Sequence, residues 1–285
     1  MKNLKITEIN LCMVFILAGC FVSKSDIKEI NSFKDVESIL NHVNAQTLVI
    51  FDIDETLTVP DHIIFQKWFN ETSQAKVFWE EIKKHIDAQE NPKEYVKRIT
   101  ALSLRDCAIR IIEPIIVETI KNLQDRGIKT IALTAFNTGS MGGDIIPSLP
   151  RWRYEKLKEA GIDFSKGFGD KEIAFEHLTS PAHRHPIFYK GILLTDAFTK
   201  GQVLGTFLDR INWKPDKIIF FDDTLKHLES VQAEMKKRKL PFEGFLYKGG
   251  NYLAKPINQK VLDIQLQHLK EHNEYISDKE VQKNL

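Results

Sequence analysis

Two short apolar runs constrain this chain more than any other feature. Thr47-Leu48-Val49-Ile50-Phe51 stops at Asp52-Ile53-Asp54, and Lys217-Ile218-Ile219-Phe220-Phe221 stops at Asp222-Asp223. Runs that are continuous rather than alternating, and rich in β-branched and aromatic residues, suit strands covered on both faces, as in a parallel sheet. A third run, Thr130-Ile131-Ala132-Leu133, ends at Thr134. Parallel strands need crossovers, and helical patterns lie between the runs. Phe33, Val36, Ile39, Leu40 and Val43 follow an N-cap-like Ser32-x-x-Asp35. Pro114 opens a helix to Gln124 that Gly127 closes. Pro150 starts a helix over 151–160, closed by Gly161, and Lys200-Gly201 begins one through Ile211. Helix 224–239 and a strand at Gly244-Phe245-Leu246-Tyr247 complete an α/β pattern with right-handed crossovers.

A chain of 285 residues, 42% hydrophobic, can bury one large core, or a core with an insert. The core is expected over 32–59 and 113–255. Residues 60–112 hold two charge-rich segments carrying Phe65, Trp68, Phe69, Phe78 and Trp79, then Tyr95, Val96 and Ile99, and read as a helical cap inserted after the first core strand. Residues 163–186 look irregular, 187–194 form a hairpin about Lys190-Gly191, and 256–285 form a C-terminal helix and a frayed tail.

Lys2 and Lys5 precede the apolar stretch Leu11–Leu17, which is too short to span a membrane but suits a signal peptide over 1–20. Leu17-Ala18-Gly19-Cys20 resembles the lipobox of bacterial lipoproteins, with Cys20 the lipidated residue and 21–31 a polar tether. The expected address is the cell envelope, through a lipid anchor on Cys20, or outright secretion. Processing would leave Cys107 alone, with no disulfide framework. A net charge of +1 gives no electrostatic footprint for nucleic acid.

All three strand ends fall on one edge of a parallel sheet, where open α/β folds bind ligands. Burying one carboxylate costs several kcal/mol unless it is paired or metal-bound, and a second adds repulsion. Asp52, Asp54, Thr134, Lys200, Asp222 and Asp223 therefore compose a site for a hard cation and an anion. Oxygen ligands favour Mg²⁺, and no Cys/His cluster competes. A phosphoryl group fits such a site, because a cation and an ammonium offset its charge.

The order and spacing of these residues resemble the haloacid dehalogenase superfamily over about 200 residues. Asp52-Ile53-Asp54-Glu55-Thr56-Leu57 matches its DxDxT signature, and Thr134, Lys200-Gly201 and Asp222-Asp223 match its second, third and fourth motifs. The combination of an exported chain with Asp-Ile-Asp-Glu-Thr looks like the acid-phosphatase branch, and a largely uncharacterised bacterial family of exported or lipid-anchored members of the superfamily, with Lys-Gly-x-x-Leu as its third motif, is a closer match. The resemblance implies a Rossmann-like core and a Mg²⁺-dependent phosphatase acting on a small-molecule phosphate monoester. It implies Asp52 as nucleophile, Asp54 as acid and base, Thr134 and Lys200 on the phosphoryl oxygens, and Asp52, Asp222 and the Asp54 main chain on the metal. Asp223 would support the site. One position departs from the pattern: His227, five after Asp222, stands where many members carry Asn or Asp. The alternatives are a non-catalytic binding protein on the same scaffold, or a phosphotransferase using the same residues. Selectivity is expected from 60–112, with Trp68 or Phe65 toward the leaving group, or from Arg184 and Lys190 in 163–190.

Overall fold

The computed structural model describes residues 27–250 and 256–283. The expected signal segment, Cys20 and the start of the tether lie outside the described residues. In chain order the elements are β1 (Ile27–Ile30), a 3₁₀ turn Phe33–Val36, α1 (Glu37–Asn41), β2 (Thr47–Phe51) and β3 (Thr58–Pro60). A second 3₁₀ turn, Ile63–Phe65, precedes α2 (Lys67–Asn70), α3 (Ser73–Asp87), α4 (Pro92–Asp106), β4 (Ile109–Ile111), α5 (Ile115–Asp125) and β5 (Lys129–Thr134). Then come α6 (Leu149–Glu159), α7 (Ser165–Phe168), β6 (Glu172–Ala174), β7 (Ile187–Tyr189) and β8 (Ile192–Leu194). The chain continues through α8 (Lys200–Ile211), β9 (Lys217–Asp222), α9 (Leu225–Arg238), β10 (Phe242–Tyr247), α10 (Gln259–His272) and α11 (Asp278–Lys283).

Eight strands form one sheet in the order β1-β10-β9-β2-β5-β8-β7-β6, parallel from β1 through β8, with the β8–β7 and β7–β6 pairs antiparallel. The fold is thus α/β with a mostly parallel central sheet, as its apolar runs predict. All five residues of β2 are buried, and they alternate between two cores. Val49 and Phe51 join Ala132, Ile219 and Phe221 under α5 and α6, while Leu48 and Ile50 join Ile131, Leu133 and Phe220 under α8 and α9. Each buried side chain of this size contributes roughly 1.5–3 kcal/mol of transfer energy, so after the buried Thr47 the strand stays apolar on both faces from Leu48 to Phe51, until the chain leaves the sheet at Asp52.

Local signals act where the sequence placed them. Ser32 accepts from Lys34 N–H while Asp35 accepts from the Ser32 N–H, a capping box at the entry to the first helical turn. Lys190 (φ 46°) and Gly191 (φ 87°) turn β7 into β8; a Cβ on Gly191 would lie 2.1 Å from the Phe164 carbonyl oxygen, so the hairpin requires glycine there.

Four expectations are corrected. Residues 163–186, read as irregular, hold α7 and the edge strand β6, whose three residues take their form from pairing with β7. Ile27–Ile30, read as tether, is an edge strand that pairs in register with Gly244–Tyr247. It is too short and too exposed to announce itself, and its form comes from β10. Asp278–Lys283 is helical rather than frayed, with Val281 buried. The inserted segment and the C-terminal helix, read as separate units, share one apolar core, in which Leu262, Leu269 and Tyr275 pack with Ile63, Ile64, Phe69, Phe78 and Ile82. The antiparallel β3–β4 pair forms the stem of that cap. Among the described residues no helix is long and apolar enough to cross a membrane.

Candidate functional site: an acidic sheet edge closed by two lysines and an arginine

Register brings the acids together. Phe51 pairs with Phe221, so the residues that follow them, Asp52 and Asp222, emerge side by side, and Asp52 N–H donates to the Phe221 carbonyl at 2.8 Å. Leu57 and Thr58 N–H both donate to the Ile53 carbonyl, which folds 53–58 into a tight turn with Glu55 at φ 61°. The buried Thr56 hydroxyl accepts from Asp223 N–H at 3.1 Å, tying the two acidic loops to each other. Thr134 ends β5, buried, and its carbonyl accepts from Thr195 N–H.

Lys200 enters from the start of α8, behind an N-cap Thr199 that accepts from Gln202 N–H. The glycine after it lets α8 lie directly on α9: a Cβ at Gly201 would sit 2.1 Å from the Ser230 carbonyl oxygen. The Lys200 ammonium, wholly buried, donates to Asp52 and, at 2.7 Å, to Asp222. Asp222 also accepts from Thr224 N–H at 2.8 Å and faces His227 Nδ1 at 3.3 Å. His227, the departure from the expected motif, is therefore a direct neighbour of the buried Asp222 carboxylate. Burial pushes the Asp52 carboxyl well up, Lys200 opposes this, and Asp222 and Asp54 reinforce it. Burial also acts to raise Asp222, but Lys200 and His227 outweigh it and hold Asp222 below the usual carboxylate range. Burial acts to lower Lys200, and the two carboxylates outweigh it and raise the ammonium.

Oxygen atoms of Asp52, Asp222 and Asp223 lie within 4.8 Å of one another. This all-carboxylate set fits a hard divalent cation such as Mg²⁺, with Asp223 in the close group and the Asp54 side chain elsewhere. Asp223 accepts from Lys67 Nζ at 2.7 Å, and the Lys67 N–H donates to Glu55 at 3.0 Å, so the cap reaches the acidic edge through Lys67. Asp54 is held by both terminal nitrogens of Arg153 on α6, at 2.8 and 3.1 Å.

Asp52, Lys200, Asp222 and Asp223 converge, with Thr134 at the adjoining strand end. Of the selectivity candidates, Trp68 packs against the cap core and also lines a small cavity with Glu55, Lys67 and Asp223 at the acidic edge, while Phe65 packs against the cap core. Arg184 is engaged by Asp196 at 2.6 Å, and the Lys190 ammonium lies over the Tyr154 ring. Arg153 and Lys67 were missed in the sequence. Arg153 left one signal: it sits between Leu149 and Leu157 at four-residue spacing, a charged residue on the buried stripe of its helix.

Residues 29–282 match the family described as "Protein of unknown function (DUF2608)", and the chain belongs to that family. It is similar to "Uncharacterized protein RP296" of Rickettsia prowazekii (strain Madrid E), 26% identical over 257 residues, 90% of this chain and 88% of the relative. An "Uncharacterized protein" of Rickettsia bellii (strain RML369-C) is 22% identical over 283 residues, 91% of each chain. "Uncharacterized protein RT0286" of Rickettsia typhi (strain ATCC VR-144 / Wilmington) is 32% identical over 148 residues, 51% of this chain and 47% of the relative. No solved structure matches significantly.

Proposed function

We propose that this member of the family is a Mg²⁺-dependent phosphomonoesterase of the haloacid dehalogenase type, working through Asp52. The supporting observation is the buried Lys200 bridge between Asp52 and Asp222, with Asp223 beside it, assembled from strand ends and a helix start 171 positions apart from first to last. Structural ion pairs do not need a third carboxylate at the same spot, whereas a site for a cation and a phosphoryl group does.

Asp52, Asp222 and Asp223 would hold Mg²⁺, which when bound offsets the negative charge of the phosphoryl group. In the first step an Asp52 oxygen forms a bond to phosphorus as the bond to the leaving alcohol breaks. That alcohol oxygen takes a proton from Asp54. In the second step water attacks phosphorus, its proton passes to Asp54, and the Asp52–phosphorus bond breaks to release inorganic phosphate. Lys200 keeps Asp52 in place and offers positive charge to the phosphoryl oxygens, with the Thr134 hydroxyl as the other candidate on the phosphate. Export with a lipid anchor on Cys20 remains part of the same proposal.

Purified protein with Mg²⁺ is expected to release phosphate from aryl phosphates, to stop with EDTA, and to lose turnover in Asp52→Asn. An absence of turnover across a broad phosphate-ester panel, with the fold intact and Mg²⁺ bound, overturns the reading.

A further inference from the structure

We propose that Arg153 is the positioning residue for Asp54, acting through that carboxylate on proton transfer to the leaving oxygen; this rests on the phosphatase reading above. The Arg153 side chain is 3% exposed and that of Asp54 46% exposed. The guanidinium is therefore anchored inside the protein while the carboxylate it grips faces the solvent side of the acidic edge. Its plane lies over the Phe136 ring at 4.0 Å and beside Trp152 at 5.2 Å, and these two rings stack at 5.9 Å. Arg153 Nε is buried without a hydrogen-bond partner among the described residues. The two terminal nitrogens go to the two oxygens of Asp54, one to each, at 2.8 and 3.1 Å.

This is a poor way to stabilise a fold. Burying a guanidinium costs several kcal/mol, an orphaned Nε adds to it, and a half-exposed carboxylate returns little. It is an effective way to orient a carboxylate. Asp54 sits in the turn beyond β2, where among the described residues no other group hydrogen-bonds its side chain. Proton transfer needs heavy atoms within about 2.6–3.2 Å and the correct plane. A rigid fork on a buried helix residue fixes the carboxyl plane through one lone pair on each oxygen and leaves the other for the proton that Asp54 gives and takes back, as a lysine could not.

The test compares kcat/KM for an alkyl phosphate, whose leaving oxygen must be protonated, with that for nitrophenyl phosphate, whose leaving group needs little help. Arg153→Met and Arg153→Lys are expected to lower the alkyl value about tenfold or more, through kcat rather than KM, and the nitrophenyl value less than about threefold. In an Asp54→Asn background, Arg153→Met is expected to add less than about twofold, because the effect travels through Asp54. Equal losses on both esters, or full additivity with Asp54→Asn, overturn the assignment. Arg153→Lys keeps the charge in the fold and decides the matter if Arg153→Met fails to fold. A wild-type protein inert toward both esters overturns the phosphatase reading and this one with it; an active wild type with an unmoved ratio overturns only the role of Arg153.

Discussion

Replacing Lys200 by methionine removes the ammonium that lies between two buried carboxylates. Its side chain and that of Asp222 are fully buried, and that of Asp52 is 7% exposed, so solvent cannot take over the charge balance. Removing one partner of a buried pair costs about 3–5 kcal/mol. The low end applies here, because Asp222 keeps the Thr224 N–H and His227 as partners. At roughly 2–4 °C per kcal/mol for a protein of this size, a loss of about 3 kcal/mol lowers the melting temperature by about 6–12 °C. The measurement is thermal and urea unfolding in EDTA. If like-charge repulsion is the cause, adding Asp52→Asn to Lys200→Met recovers at least about 1 kcal/mol, a coupling expected only of residues in contact. Added Mg²⁺ should also restore stability, by binding the folded state. A loss under about 1 kcal/mol, or no recovery in the double variant, refutes the argument that Lys200 carries the charge balance of this edge.

Lys67→Met releases Asp223, and because a half-exposed pair is worth about 0–1 kcal/mol, Mg²⁺ binding by calorimetry should tighten by up to about fivefold; unchanged or weaker binding contradicts competition between Lys67 and the metal. Leu269→Ala leaves a hole in the cap core costing about 2–5 kcal/mol locally, so amides of α3 should exchange faster while those of β2 and β9 do not; an even rise across the sheet would count against a separate cap core. For Asp196, burial acts to raise the carboxyl, but Arg184 and the Thr138 N–H and hydroxyl pull it below its usual value. A depressed folded value means its contribution is complete above the ordinary carboxylate pKa of about 3.9 and is lost as pH falls through the lower folded value. Urea unfolding should therefore show the stability gap between wild type and Asp196→Asn constant from pH 7 to about 5 and shrinking below about 4, and a gap independent of pH refutes it.

β2, β5 and β9 were legible because both faces of each are covered, which forces continuous apolar runs, and the polar residues that end them mark the sheet edge. The start of α8 at Lys200 and the turn at Lys190-Gly191 were equally plain, since each rests on a local backbone requirement. β1 was not, because four residues of which Ile30 alone is buried take their form from pairing with β10. Within the site, the juxtaposition of Asp52 and Asp222 followed from the strand ends, and Lys200 from its place at a helix start between the second and third of those strands. The partners of Asp54 and Asp223 did not, because Arg153 and Lys67 arrive from a crossover helix and from the cap, and no local pattern specifies where a helix places a long cationic side chain. The cap showed its helices in sequence but not its far half, since Leu262 and Leu269 lie about 150 positions beyond the segment they complete.

That separation has a consequence for synthesis. Ile63, Ile64, Phe78 and Ile82 leave the ribosome long before the residues that bury them, and the intervening stretch contains β5, β9 and both helices of the Lys200 face. Until α10 and α11 arrive the cap helices lack the residues that cover their apolar side, although β2, β5 and β9 have by then all been made. The last described elements to emerge, α10 and α11, close that surface. A nascent chain stopped near residue 256 should accordingly bind chaperones and apolar dyes through its cap, although its sheet is complete.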